Sequence, residues 1–213
     1  MAVPATIFVM SEVTLPARIS LVGSGAFVTS VAVMHVVQPE LPPVDVAVSY
    51  YLNGRWGWLL GAGLVALGIG SVSLAVALRR AVPSVGGPGF WLLVIWGMGA
   101  VLGGIFSPDP YGHWDRPPSI AGMVHGVSAL LAFVAFPAAA WLLSRRLAVH
   151  PRISPRAPLL EKLAGACAAC LIVFFACLAP VFQDRAPYAL GGVERVLIAA
   201  FVAWLVTAAV SVR

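Results

Sequence analysis

The chain has 213 residues, of which 61% are hydrophobic and only 10% charged, with a mean hydropathy of +0.96. A soluble globular domain carries about a quarter charged residues, so that class is excluded. The net charge of +5 comes from basic residues in short connections beside apolar runs. That is the pattern of membrane topology and gives no reason to expect nucleic acid as a partner.

Several uncharged runs are long enough to cross ~30 Å of hydrocarbon, which takes about 20 residues. The alternation of apolar and polar residues that a β-barrel needs is lacking. The expected fold is therefore an all-α integral membrane protein, a single bundle of six transmembrane helices over residues 19–210. Residues 1–18 read as an N-terminal cytoplasmic tail. The tail lacks the basic start and small-residue cleavage site of a secretory signal, so no processing is expected.

The first span is expected at about Ile19–Val37, with His35 at its far end. Pro39, Pro42 and Pro43 then break the helix, and a polar connection runs to Arg55 with Asp45, Tyr50 and Tyr51. The second span, about Trp56–Leu78, carries Gly57 and Gly61 on one face and ends at Arg79-Arg80. A Pro/Gly turn leads to the third, about Phe90–Phe106, with Gly99 and Gly103. The fourth is placed at about Ile120–Leu143, the fifth at about Leu163–Phe182 and the sixth at about Gly191–Val210.

Arg18, Arg79, Arg80, Arg145, Arg146, Arg152, Arg156, Lys162 and Arg213 fall on one face, nine of the 13 Lys and Arg. The positive-inside rule makes that face cytoplasmic and the topology N-in/C-in, in a multi-pass protein of the plasma membrane. The other face holds Glu40, Asp45, Asp109, Asp115, Asp184 and Glu194, together with His35, His113 and His125. Any chemistry belongs there.

Most of that chemistry lies between Gly103 and Pro137, where Phe106-Ser107-Pro108-Asp109-Pro110 closes the third span. Asp109 on this stiff backbone is a candidate general acid or, more simply, a turn residue. His125 has Ser128, Ala129 and Ala132 on its helix face, which points it into the bundle. It can be a base or proton shuttle, or a structural imidazole bonded to a loop carbonyl. Glu194 and Arg195 open the sixth span. Arg195 keeps its charge and so needs a carboxylate, for which Asp109 and Asp184 are candidates, or a wet pocket.

Tyr50, Tyr51, Trp56, Phe106, Tyr111 and Trp114, with His35 and His113, are the candidate substrate-binding residues. They form either an interfacial aromatic belt or the wall of a pocket for an apolar or cationic ligand. His35, Asp45, His113 and Asp115 have ligand types suited to zinc, but no recognised spacing, so neither metal nor cofactor is assigned. Cys167 and Cys170 form a CxxC inside an apolar run and, with Cys177, read as core residues.

Four separated motifs resemble one known family. Ser49-Tyr50-Tyr51 with Gly54 and Gly57 resembles its first loop, and Phe106-Ser107-Pro108-Asp109-Pro110 its FPTDP-like motif. Gly122 to Ala132 with His125 resembles its G-x-x-H helix, and Glu194-Arg195 its Gln-Arg pair. The family is the bacterial and archaeal group called "domain of unknown function 998", six-span membrane proteins of about this size. Ser107-Pro108 stands where the family tends to have Pro-Thr, and Glu194 where Gln is common. The resemblance implies the architecture and points to these residues; it implies no reaction.

Two functions fit this reading. One is an intramembrane enzyme on a lipid-soluble substrate, hydrolysing a lipid or cyclising an isoprenoid. In it Asp109 is the acid, His125 the base, Arg195 the anion holder and Glu194 a further titratable group. The other is a non-catalytic lipid or small-molecule binding protein or proton-coupled transporter built on the same residues. Membrane lipids are the expected surroundings of both. The topology predicts that a cysteine placed at Arg152 resists an impermeant thiol reagent in intact cells, and labelling from outside would reverse the orientation.

Overall fold

The computed structural model describes residues 5–112, 116–151, 153–180 and 188–213, with side chains described from residue 13 onward. Six long helices follow one another: α1 (Ala5–Val37), α2 (Gly57–Ala81), α3 (Pro88–Ile105), α4 (Ile120–Leu147), α5 (Ala157–Leu178) and α6 (Leu190–Ser211). Each contains a stretch long and apolar enough to cross a membrane. In hydrocarbon every backbone N–H and C=O must be satisfied within the protein, and a helix does this within one segment.

Consecutive helices pack on one another and α1 also packs on α6, which closes the bundle. Val13 and Ala17 of α1 lie against Ala77 of α2, with Val212 beside them. Arg156 donates to the Val210 carbonyl at 3.4 Å. Both ends of the bundle sequence therefore sit at one pole. The connections after α1 and after α3 sit at the other.

Two helices differ from their expected bounds. α1 begins at Ala5 and runs through Pro16 and Arg18, within the stretch expected as a tail. Packing of Val13 and Ala17 supplies what local sequence does not, and neighbouring helices let a membrane helix tolerate proline. α5 begins at Ala157, ahead of Glu161-Lys162, and stops at Leu178. Long charged side chains at a helix end can reach the interface from within the helix.

The centre is aromatic. Phe136 and Phe201 stack with ring centroids 4.2 Å apart, and Trp96 meets Phe201 edge-on at 5.2 Å. Each buried indole N–H finds a hydroxyl: Trp96 donates to Ser71 and Trp204 to Ser144, both at 3.0 Å. Each of these serines in turn donates to a carbonyl one turn back, Leu67 and Ala140. No indole donor is left unpaired in the apolar centre, where that would be costly.

Glycines set the α2–α3 distance. A methyl group on Gly68 would strike the Gly97 carbonyl, and one on Gly97 would come within 2.8 Å of the Gly68 carbonyl. Seven residues away Gly61 and Gly104 repeat the arrangement, at 2.7 and 2.6 Å. The spacings Gly57/Gly61 and Gly99/Gly103 divide between partners: Gly61 faces α3, whereas Gly99 faces Ser128 and Ala132 of α4. Gly25, by contrast, has no heavy atom near an added methyl. Gly68→Ala is expected to lose about 1–3 kcal/mol by overpacking. Gly25→Ala is expected to be neutral or to gain up to about 1 kcal/mol of helix propensity. Unfolding in detergent micelles measures both.

Candidate functional site

The connection after α1 folds back over the start of α6 and is bonded to it through Val44, Val46, Val48 and Tyr51. Gly192 N–H donates to the Val44 carbonyl at 2.8 Å. Arg195 donates to the Val46 carbonyl at 2.8 Å, and Val48 N–H donates to the Glu194 carboxylate at 2.5 Å. Gly191 permits the approach, since a methyl there would collide with the Val46 carbonyl. The connection then makes a short 3₁₀ helix, Val48–Asn53, with Tyr51 fully buried.

Arg195 is the hub of this seam. Its guanidinium also donates to the Gly191 carbonyl at 2.9 Å, the Tyr51 hydroxyl at 3.2 Å and His35 Nε2 at 3.0 Å. The His35 Nδ1 lies 2.7 Å from the Val31 carbonyl. A carbonyl only accepts, so Nδ1 carries the hydrogen and Nε2 offers its lone pair to Arg195. The guanidinium carbon lies 5.6 Å from the Tyr51 ring centroid, and the His35 ring lies 5.4 Å from that ring. Gln38 donates to the Tyr51 carbonyl at 3.1 Å and holds the same turn from beneath.

Among the described residues, Arg195 thus meets neutral acceptors. Among the described residues no ion pair joins it to Asp109, and Asp184 lies outside them. Asp109 instead accepts from Ser119 N–H at 3.0 Å, while the Ser119 hydroxyl accepts from Gly122 N–H at 3.0 Å. Two acceptors at the start of α4 suit a helix N-terminus, with its free N–H groups and positive dipole end. Gly122 leaves room for the Asp109 carboxylate, which a methyl group there would strike.

Beside this seam the bundle encloses a cavity of about 440 Å³. Its floor and walls are Phe27, Leu64, Leu67, Trp96, Phe133, Phe174 and Ile198, and its polar rim is Ser49, Tyr50, Asp109, Arg116, His125 and Glu194. His125 donates from Nδ1 to the Phe106 carbonyl at 2.7 Å, which ties the end of α3 to α4. Tyr50 meets Tyr111 edge-on at 5.2 Å. Burial pushes the Tyr50 phenol well above the usual tyrosine range, and nearby Glu194, Tyr111 and Asp109 add to the shift. It is a hydroxyl donor at any ordinary pH.

Asp109, His125, Glu194 and Tyr50 therefore share one cavity, whereas His35, Tyr51 and Arg195 form the seam behind it. Phe106 contributes its carbonyl, and Trp56 is 40% exposed beneath the Arg55 guanidinium, 5.2 Å from its ring. His113 and Trp114 lie outside the described residues. Among the described residues no three His, Cys, Asp or Glu gather as metal ligands; His113 and Asp115 lie outside them. Cys167 is buried in the core and, like Cys170 and Cys177, unbridged. Sequence reading missed the inner wall, notably Trp96 and Phe133, because apolar residues inside apolar spans carry no distinguishing mark.

Six apolar helices closed on a shared core define a multi-pass membrane protein. Over residues 21–211 the chain matches the family described as protein of unknown function (DUF998), and it belongs to that family. No curated protein and no solved structure matches it.

The seam predicts which residues are coupled. Arg195→Gln and His35→Ala are each expected to cost about 1.5–3 kcal/mol, the range for hydrogen bonds to a charged group. The double variant should lose less than their sum, while Arg195→Gln and Asp109→Asn should add. Arg195→Lys should not rescue stability, because an ammonium cannot reproduce the fork that reaches four residues. Unfolding of the single and double variants in detergent reads all three outcomes.

Proposed function

We propose that this protein binds the apolar body of a lipid-soluble molecule inside the bundle, with the polar end of that molecule at the rim. The observation that carries this reading is the cavity: about 440 Å³, apolar over its depth and polar on one side. Small-molecule sites run roughly 300–1,000 Å³ and combine apolar walls with a few convergent polar groups. With N-in/C-in topology in the plasma membrane, the rim faces the extracytoplasmic side.

A second reading, acid–base chemistry on the bound molecule, is favoured by three proton-transferring groups on one rim, Asp109, His125 and Glu194. Asp109 is then the acid and His125 the base or shuttle. Arg195, turned away into the seam, acts as a positioning residue through the connection that carries Tyr50. Lipid hydrolysis and isoprenoid cyclisation are both reactions of this class.

Organic extraction of purified protein, followed by mass spectrometry, tests the binding reading. A lipid-soluble species enriched over the bulk lipid is expected. Ala129→Trp, which places a large side chain on the cavity wall, should deplete it severalfold. Wild-type protein with no enriched species would overturn the proposal. Turnover of that species, abolished in Asp109→Asn with binding retained, would establish the enzyme.

A further inference from the structure

The cavity has a side as well as a rim. Gly126 and Leu130 of α4 line it and are exposed, Leu130 to 51% and on the same helix face as Val127 and Val134, which are exposed without lining the cavity. No heavy atom lies within 4 Å of a methyl group built on Gly126. Opposite them, Phe175 and Leu178 of α5 also line the cavity and are only half-buried. Deeper in the bundle the two helices close, where the Phe133 and Phe174 rings meet edge-on at 5.4 Å. From Gly126 to Phe133 is about 10 Å along the helix axis, or two turns. A residue that lines a cavity and also lies on the outer face of its helix marks an opening, and Leu130 does both, one turn from Gly126.

The surface around that opening is apolar. Met123, Val127 and Leu131 are each at least half exposed, within a span that crosses the membrane. The opening therefore gives onto lipid chains rather than onto water. α5 is also the least enclosed span, with 22% of its membrane window buried against 50% for α2. On the inner side, the polar lining includes two carboxylates, Asp109 and Glu194, against one cation, Arg116.

We infer that the ligand is a bilayer-resident amphiphile which enters sideways between α4 and α5. Its chain passes Gly126 and Leu130, and a hydrogen-bond donor head, amine or hydroxyl, lodges against Asp109 and Glu194. This rests on the binding reading above and adds the route and the class of head group.

The test uses the full chain reconstituted in phosphatidylcholine vesicles containing a long-chain alkylamine with a photoreactive diazirine in its tail. Mass spectrometry then maps the crosslinks. In wild type, crosslinks are expected at the opening (Leu130, Phe175) and inside (Phe133, Trp96). Gly126→Trp extends into open space and should slow inner labelling severalfold while labelling at the α5 side of the opening persists. Leu130→Trp obstructs the same gap from a separate position and serves if the first variant fails to fold. A diazirine-bearing fatty acid should label the interior less than the amine. Undiminished inner labelling in the folded tryptophan variants would overturn the lateral route while leaving the cavity reading intact. Equal labelling by the fatty acid would overturn the donor head. Absence of inner labelling in wild type would instead remove the binding reading itself.

Discussion

A guanidinium that keeps its charge, set within the first turns of a membrane helix, must find acceptors nearby. Arg195 finds them in the Val46 and Gly191 carbonyls, the Tyr51 hydroxyl and the His35 ring. Three of these lie on α1 or on the connection that follows it. One charge on α6 therefore fixes the path of a connection whose prolines keep α1 from continuing through it. Glu194, one residue earlier, binds the next part of that connection at Val48. The two adjacent ionisable residues act on one backbone segment from two directions. Neither has to be paid for by a direct contact with the other.

Because Arg195 is satisfied on the α1 side, Asp109 at the same pole is not consumed by it. Asp109 is left to hold the start of α4, and it reaches the cavity at the same time. His125 likewise ties α3 to α4 through the Phe106 carbonyl while lining the cavity. The rim residues are thus positioned by bonds to backbone, which fixes their geometry without burying them away from a ligand. Tyr50 completes the rim because its neighbour Tyr51 is locked below it. The seam and the cavity are two sides of one connection.

The cavity exists because the packing is uneven. α2 and α3 approach closely through Gly61, Gly68, Gly97 and Gly104, and the aromatic cluster around Phe136 and Phe201 fills the middle. α5 has no such glycine contact at its far half and meets α4 through the Phe133–Phe174 rings. Large rings hold two helices apart above and below their contact. Space remains where no side chain reaches across.

By itself the sequence determined the six spans, since apolar length is a local property that the hydrocarbon thickness reads directly. It also singled out Asp109, His125, Glu194 and Arg195 as candidates, because they stand out in a chain with few ionisable groups. Their partners were not legible. Asp109 and Asp184 were the carboxylate candidates for Arg195, with a wet pocket as the alternative, but partner choice depends on which backbone carbonyls and rings the fold brings within hydrogen-bond reach, and those are uncharged in sequence. The start of α1 was equally hidden, since the first span was expected only from Ile19 while Val13 and Ala17 pack against Ala77. Only the tertiary structure decided where the cavity lies. An empty volume is a property of distances between helices, and no single helix records it.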